Sequence, residues 1–286
     1  MRGWAGRRIP RRGDRTGGIQ IVTGEPHERR PRWLVPSLSA LTAVVISGCD
    51  LGLPSPITRE GENVTRLWSV FTILALAIVA LIIGLIVVVV IRYRRGHRDD
   101  IPSQRQYNFP LEITYTVIPL VIVGVLFGLT IPVQENLGSK EGAADVYVEV
   151  VGFQWQWQFR YFEDESYEGD PRIVVSGSPE QVPVLVLPVD ATVRFRLVAQ
   201  DVIHSFWVPE FLEKRDLIPG AETDVSPGID NVVEVETTET GEWTGRCAEY
   251  CGLQHAYMDF ELRVVDEAEW QSWSSEAADA TGEEGT

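Results

Sequence analysis

The chain has 286 residues, and 41 Asp and Glu against 25 Lys and Arg give a formal net charge of −16. Residues 1–132 carry 16 basic and 9 acidic side chains, whereas residues 133–286 carry 9 basic and 32 acidic ones, a balance of −23. This division excludes a purely cytosolic enzyme and a nucleic-acid-binding protein, because the acidic half would repel phosphate. It indicates a short membrane part joined to one acidic domain of ordinary size.

The first 48 residues have the pattern of a lipoprotein-type export signal. A basic leader precedes an uncharged, mostly apolar segment from Trp33 to Gly48, which ends in small residues before Cys49. Such an order is typical of a signal peptide, and the ending is similar to the lipobox of bacterial lipoproteins. We therefore expect Cys49 to be lipidated and to begin the mature chain, followed by an extracytoplasmic linker over residues 49–67. The alternative is a retained signal anchor in which the cysteine is coincidental.

Two apolar runs predict a transmembrane helical hairpin over residues 68–132. The run from Trp68 to Ile91 contains no charge and is long enough to cross a bilayer. A second run extends from Leu111 to Ile131. The loop between them contains the arginine-rich segment Arg92–Arg98, which is typical of the cytoplasmic side. The acidic half is therefore predicted to lie on the extracytoplasmic side of a bacterial cell membrane, to which two helices attach it.

Glu112 is the single charge within the second apolar run. A solvated residue at the end of a helix is the commoner explanation for a carboxylate at such a position. The alternative is a residue of a proton path, because acids within the membrane are costly and generally functional. Spacing alone leaves both interpretations open.

Residues 133–266 show the pattern of an all-β domain. Short segments rich in β-forming residues are separated by Gly and Pro turn clusters, which predicts a β-sandwich or a β-barrel. Residues 267–286 are acidic and small, and they predict a short helix followed by a disordered acidic tail. The predicted strands are Val146–Val151, Val182–Val189, Thr192–Val198, Asn231–Thr237 and Asp259–Val265.

The scarce soft donors of the acidic half fall in two short segments. One segment has the pattern C-x3-C-x3-H-x2-M, and the other contains the remaining histidine of this half. Thiolate, imidazole and thioether together select copper, and two neighbouring thiolates can bridge two ions that the histidines cap. These residues are His204, Cys247, Cys251, His255 and Met258.

Three other sites could use some of these residues. A Cys247–Cys251 disulfide is compatible with an oxidising compartment but leaves both histidines and Met258 without a role. A structural zinc site would use two cysteines and two histidines, but it leaves Met258 unexplained and cannot transfer electrons. A one-copper blue site needs one cysteine and leaves the other idle. A dinuclear copper site is favoured because it uses all five donors.

The sequence resembles subunit II of the heme–copper cytochrome c oxidases over about residues 60–270. The resemblance implies a membrane-anchored all-β fold, in which a two-helix transmembrane hairpin carries a cupredoxin-like β-barrel. It also implies a function: a dinuclear copper centre called CuA accepts electrons from cytochrome c and passes them to haem in subunit I, where oxygen reduction drives proton pumping. The segments that carry the resemblance are GFQWQWQFRY (152–161), DVIHSFWVPE (201–210), KRDLIPG (214–220) and CAEYCGLQHAYM (247–258).

The resemblance assigns a role to each candidate ligand. Cys247 and Cys251 would be the bridging thiolates, His204 and His255 the terminal imidazoles, and Met258 the axial thioether. A sixth residue, Glu249, lies between the cysteines. Its backbone carbonyl would bind one copper, and its carboxylate would reach a magnesium ion shared with subunit I.

Two further residues gain roles from the resemblance. Trp155 would be the tryptophan that receives the electron above the copper site. Alternation along the strand places Trp155 and Trp157 on one face, and we expect Trp157 to be a packing residue. Glu112 matches a family glutamate near the mouth of a proton-uptake path in subunit I.

The charge of residues 133–286 favours a basic electron donor, because an acidic surface steers a basic cytochrome c towards it. The alternative is that acidity only keeps an exported domain soluble. The chain contains no C-x-x-C-H haem motif, so the donor is expected to be a separate cytochrome c or a neighbouring cytochrome in a supercomplex. The other expected partners are oxidase subunit I, further oxidase subunits and the membrane, without nucleic acid.

Two other functions compete with this one. A quinol oxidase subunit II would have the same fold but lack the copper ligands, which this chain retains. A membrane-anchored copper carrier would need an open, exchangeable site, and it would have no use for two spans and the aromatic run.

Overall fold

The structure is a computed structural model that describes residues 52–94, 104–138, 142–178, 181–220 and 231–284. The predicted signal, Cys49 and the greater part of the arginine-rich loop lie outside these residues. Within them, the chain forms two long apolar helices, two five-stranded sheets and one C-terminal helix. The helices are α1 (Arg59–Arg92), α2 (Phe109–Gly138) and α3 (Glu267–Glu284).

The described β-strands form two sheets that face each other across an apolar core. One sheet has the order β3-β2-β1-β5-β8, and the other has the order β4-β10-β9-β6-β7. The domain is thus a sandwich of two sheets, one of the two forms that the strand pattern allowed. The strands are β1 (Val146–Phe153), β2 (Gln156–Phe162), β3 (Ile173–Ser176), β4 (Val184–Pro188), β5 (Thr192–Ala199), β6 (His204–Val208), β7 (Glu213–Leu217), β8 (Val232–Glu236), β9 (Gly241–Cys247) and β10 (Asp259–Val265).

All five predicted strands are present as β1, β4, β5, β8 and β10. β2 lies in the aromatic run whose alternation predicted a strand. The prediction missed β3, β6, β7 and β9, which are short or carry charged and small residues among the apolar ones. β7 has the sequence EKRDL and forms because it pairs with β6. Cross-strand pairing therefore decides its conformation where the local sequence does not.

Aromatic rings fill the core on the side of the candidate metal site. Trp157 lies between the sheets, fully buried, with its ring edge-on to Phe206 and Phe260. The Phe206 and Phe260 rings stack with centroids 5.2 Å apart. A Cβ atom at Gly245 would lie 2.0 Å from the Phe260 ring, so only glycine fits at that position. These contacts fix the ends of β6, β9 and β10, from which the candidate ligands emerge.

The first membrane helix begins earlier than its apolar run. The Thr58 side chain accepts a hydrogen bond from the Gly61 N–H and so caps α1, and Glu60 lies in the first turn, where acids stabilise a helix. Residues 59–67, predicted as linker, are therefore helical. Thr58 also pairs with Thr237 beside β8, and the Glu60 carboxylate accepts from the Glu236 N–H. The helix is thereby attached directly to the β-sandwich.

Both long helices are apolar enough to cross a membrane. Their most hydrophobic windows have mean hydropathies of 3.5 for α1 and 2.4 for α2, and neither window is buried within the chain. Apolar side chains that the described residues leave uncovered need an apolar solvent. The predicted transmembrane hairpin is therefore consistent with the structure.

The prediction of a disordered C-terminal tail was wrong up to residue 284. Helix α3 packs against β3 and β4, at the edge where the two sheets lie open. Its Trp273 ring lies 5.4 Å from the Tyr161 ring, and Trp270 lies 6.1 Å from the same ring. The Thr281 hydroxyl accepts from the Val174 N–H. The acidic composition hid a tryptophan pair that anchors the helix.

Replacing Trp273 with Ala should destabilise the β-sandwich by about 2 kcal/mol, somewhat less than a fully buried tryptophan costs, because this ring is half-buried. Denaturant unfolding of the full chain in detergent measures the change. Ser275→Ala, on the exposed side of the same helix, is the control and should leave stability within about 0.5 kcal/mol. Equal stability of both variants would show that α3 does not support the fold.

Candidate metal centre

Three segments converge to form the candidate metal centre. His204 begins β6, Cys247 ends β9, and the remaining candidate donors lie in the loop between β9 and β10. The Ala248 N–H donates to the Ser205 carbonyl, which ties the start of this loop to β6. The Cys247 N–H donates to the Met258 carbonyl at 2.9 Å, which closes the loop at its base.

The donor atoms predicted from the sequence lie together. Suitable atoms of His204, Cys247 and Cys251 all lie within 4.8 Å of one another, and all three residues are buried. The two sulfur atoms are 3.8 Å apart. Around them, His204 Nδ1 lies 3.9 Å from Cys247 Sγ, and His255 Nδ1 lies 3.6 Å from Cys251 Sγ. Each thiol thus has its own imidazole.

A thioether and a backbone carbonyl complete the cluster. The Met258 Sδ atom lies 3.7 Å from Cys251 Sγ and is buried. The Glu249 carbonyl oxygen lies 3.2 Å from Cys247 Sγ. The cluster therefore has two neighbouring sulfurs with one imidazole beside each, the thioether beside Cys251 and the carbonyl beside Cys247.

The two thiols differ in how readily they ionise. Burial opposes ionisation of Cys247, but hydrogen bonds with His204 and with the backbone near Glu249 outweigh burial and lower the pKa of Cys247 to about 6. Burial raises the pKa of Cys251 to about 12, and the charge of Cys247 adds to this. One thiolate therefore forms easily, whereas a second beside it needs a neighbouring positive charge. A metal cation supplies that charge.

Asp201 fixes the orientation of the His204 ring. Its Oδ1 atom lies 2.8 Å from His204 Nε2, so Nδ1 is the ring atom that faces the sulfurs. A carboxylate that holds the outer nitrogen of a ligand histidine sets its tautomer and strengthens it as a ligand. Asp201 was not predicted from the sequence, and the pattern that indicates its role is an acid three residues before a candidate histidine ligand.

Trp155 lies in the turn between β1 and β2, not on a strand. The expected shared strand face with Trp157 is therefore wrong, because the chain reverses direction at residues 154 and 155. Trp157 is the core residue that we expected, and its indole N–H also donates to the Met258 carbonyl at 3.2 Å. The half-buried Trp155 donates its indole N–H to the Cys251 carbonyl at 3.1 Å. Each indole thus holds one end of the ligand loop.

The Glu249 carboxylate points away from the sulfur cluster. Its Oε2 atom lies 3.8 Å from Lys214 Nζ, and the side chain is half exposed. Lys214 also donates to the Ser205 hydroxyl and pairs with Asp216. The carbonyl and the carboxylate of Glu249 thus face different surroundings.

Glu112 lies in the first turn of α2, far along the chain from the cluster. Its carboxylate accepts a hydrogen bond from the Asn108 N–H at 3.0 Å. The Asn108 side chain in turn accepts from the Leu111 N–H. These reciprocal bonds satisfy free N–H groups at the helix start, which is a structural role for Glu112.

The comparisons with known proteins agree with this geometry. The family model described as cytochrome C oxidase subunit II, periplasmic domain, matches residues 146–265. The probable cytochrome c oxidase subunit 2 of Nocardia farcinica is 36% identical, over 79% of this chain and 75% of its own length. The corresponding protein of Streptomyces coelicolor is 37% identical, over 83% of this chain and 85% of its own.

The chain belongs to the cytochrome c oxidase subunit 2 family. Among solved structures, the periplasmic domain of subunit II of cytochrome oxidase (CoxB) of Bradyrhizobium japonicum aligns with 49% of this chain and 99% of that domain, with 28% identity and a TM-score of 0.40. Family membership and the buried cluster of His204, Cys247 and Cys251 are consistent with a CuA-type copper site.

Replacing Asp201 with Ala should weaken copper binding about tenfold, because the His204 ring loses the group that orients it. Competition with a copper chelator measures this in the full chain. Asp164→Asn, in the exposed β2–β3 loop, is the matched control and should bind copper as the unmodified chain does. Unchanged affinity in Asp201→Ala would remove Asp201 from the site.

Proposed function

We propose that the chain is the electron-accepting subunit of a membrane-bound cytochrome c oxidase and holds a dinuclear CuA centre that takes electrons from a cytochrome c. Family membership supports the oxidase. The observation that carries the copper assignment is the pair of buried sulfurs 3.8 Å apart with one imidazole beside each.

The donor set fits two copper ions better than zinc. Cys247 and Cys251 would bridge the ions, and His204 and His255 would each bind one. Met258 and the Glu249 carbonyl would supply the remaining donors. Thiolate and thioether donors favour copper, and zinc would leave the thioether unused. When bound, such a centre supplies one-electron chemistry by sharing the electron between two ions.

The protein's contribution is to hold these donors still. The β-sandwich fixes both histidines and both cysteines before an electron arrives, so little reorganisation accompanies the change of charge. Burial of the sulfurs excludes water from them. Hydrogen bonds from Trp155 and Trp157 to carbonyls of the loop hold its backbone.

Trp155 is proposed as the contact through which the electron reaches the site. Its ring is half-buried in the surface turn, and a single hydrogen bond joins it to Cys251. The ligand loop whose Cys251 carbonyl it contacts carries three large exposed side chains: Tyr250 is 76% exposed, Leu253 86% and Tyr257 80%. Exposed apolar side chains of this size mark protein contact surfaces. The subunits of the oxidase and the donor cytochrome are the partners that this surface would meet.

The charge of residues 133–286 supports a basic donor cytochrome. Steering by a surface of this sign raises the encounter rate at low ionic strength. The cytochrome would be a separate protein or a neighbour in a supercomplex, because the chain itself has no C-x-x-C-H motif. A rate of electron uptake that does not fall with added salt would contradict steering.

Three further roles are proposed, for Glu249, Glu112 and Cys49. The half-exposed Glu249 carboxylate, which lies 3.8 Å from Lys214 Nζ, is proposed to bind a magnesium ion shared with subunit I. Magnesium bound equally well by Glu249→Gln oxidase would contradict this. Glu112 is proposed at the mouth of a proton path, which requires Glu112→Gln to slow proton uptake in the assembled oxidase. Cys49 is proposed to be lipidated, which requires that the mass of the mature chain include the lipid. The chain is proposed to span a bacterial cell membrane more than once, with its β-sandwich on the extracytoplasmic side.

Replacing Cys251 with Ser should abolish the dinuclear centre, because one oxygen cannot replace a bridging thiolate for soft copper. The measurement is the electron paramagnetic resonance spectrum of the copper-loaded full chain, in which the signal of one electron shared by two coppers should vanish. Ser205→Ala, which leaves all proposed ligands in place, is the control. A shared-electron spectrum that survives in Cys251→Ser would contradict the proposal.

Trp155→Phe tests the electron-accepting contact separately. We expect the copper spectrum to persist, because Gln154 still donates to the Cys251 carbonyl, and electron uptake from cytochrome c to slow at least tenfold. Stopped-flow reduction of the oxidase measures the rate. Trp243→Phe, on β9 away from the ligand loop, is the control. Uptake at the unmodified rate in Trp155→Phe would exclude Trp155 as the contact.

A further inference from the structure

The turn between β1 and β2 contacts both segments that supply metal ligands. The Gln154 N–H donates to Asp201 Oδ2 at 2.7 Å, and the other oxygen of Asp201 holds His204 at 2.8 Å. The side-chain amide of Gln154 donates to the Cys251 carbonyl at 2.8 Å. Gln154 is thus hydrogen-bonded to the histidine segment through its backbone N–H and to the cysteine loop through its side-chain amide.

The Cys251 carbonyl accepts two hydrogen bonds. The second comes from the Trp155 indole at 3.1 Å, and a carbonyl oxygen has two lone pairs that can accept both. The Gln154 bond is the shorter of the two. The two side chains can therefore be tested one at a time, and we expect loss of the shorter Gln154 bond to loosen the carbonyl more than loss of the Trp155 bond.

The residue after Cys251 is shaped by this arrangement. Gly252 has a φ of +122°, a conformation that side-chain-bearing residues rarely adopt. A Cβ atom there would also lie 3.1 Å from both Gln154 Nε2 and Trp155 Nε1. The loop therefore approaches the turn as closely as its backbone allows, with a residue that permits the approach.

We propose that Gln154 is a positioning residue of the metal centre, which fixes His204 and Cys251 relative to each other independently of electron uptake by Trp155. This inference rests on the proposed function, since it concerns the geometry of the same centre. Gln154 touches no candidate ligand atom. It acts through Asp201 on one side and through the backbone of Cys251 on the other.

The opposing interpretation is an exposed turn residue without a role at the site. Gln154 is exposed, and an exposed amide gains little from a hydrogen bond unless the bond holds something in place. The two interpretations differ in what the side-chain amide does, because any residue at this position retains the N–H bond to Asp201. Removing only the amide therefore separates them.

The test compares Gln154→Leu with Gln158→Leu in the full chain in detergent, loaded with copper. Leucine has a similar size and cannot donate a hydrogen bond. Gln158 is the matched control, because its side chain donates to the Ser176 hydroxyl at 2.7 Å and accepts from the Arg160 guanidinium, and neither partner belongs to the metal centre. We expect Gln154→Leu to lose copper to a chelator about tenfold faster and to show unequal sharing of the electron in its paramagnetic resonance spectrum. Gln158→Leu should match the unmodified chain in both.

A second variant guards against a folding effect. Gln154→Glu retains the length of the side chain but presents two acceptors at pH 8, so it should lose copper at least as fast as Gln154→Leu. The thermal unfolding temperatures of the copper-free Gln154→Leu and Gln154→Glu chains should equal that of the unmodified chain, because Gln154 is an exposed residue. The inference would be overturned if Gln154→Leu and Gln154→Glu lost copper at the same rate as Gln158→Leu and showed the same paramagnetic resonance spectrum. An unmodified chain that fails to bind two coppers would instead overturn the proposed function, and the inference with it.

Discussion

Two buried thiols lie 3.8 Å apart in this protein, and the other groups of the site offset the free-energy cost of ionising both of them. Burial and mutual repulsion disfavour two thiolates side by side, which raises the pKa of Cys251 while Cys247 ionises. A cation between them removes the repulsion. The imidazoles and the thioether then serve to hold metal ions, and the β-sandwich serves to hold the imidazoles.

The scaffold secures the ligand loop through its carbonyl groups. The Met258 carbonyl accepts from the Cys247 N–H and from the Trp157 indole. The Cys251 carbonyl accepts from Gln154 and Trp155. Every one of these donors lies on a strand end or on the turn between two strands. The loop that carries four of the candidate ligands, namely the Glu249 carbonyl, Cys251, His255 and Met258, is thus held at two backbone points by the rigid part of the fold.

Much of the site was predictable because its residues are rare in the chain. Two cysteines, two histidines and one methionine in the acidic half defined the cluster, and the structure brings all five together. The supporting residues were not predictable in the same way. Asp201 and Gln154 are ordinary polar residues whose roles depend on contacts between segments far apart in the chain, and periodicity carries no information about such contacts.

The fold shows the same division. The apolar runs and the β-branched segments gave both membrane helices and five strands. These patterns failed where tertiary contacts outweigh composition. β7 pairs as a charged strand, and α1 extends past its apolar run because Thr58 caps it. α3 is ordered because Trp270 and Trp273 pack on Tyr161. The Trp155 turn was misplaced for a related reason, since an alternating run predicts a strand but does not show where the chain reverses.

The number of copper ions per chain, measured together with the electron paramagnetic resonance spectrum of the copper-loaded protein, tests the central claim most directly. Two coppers per chain and a hyperfine pattern from one electron shared equally between them are the predicted result. One copper with a localised electron, or tight zinc binding without such a signal, would contradict the assignment of a CuA centre.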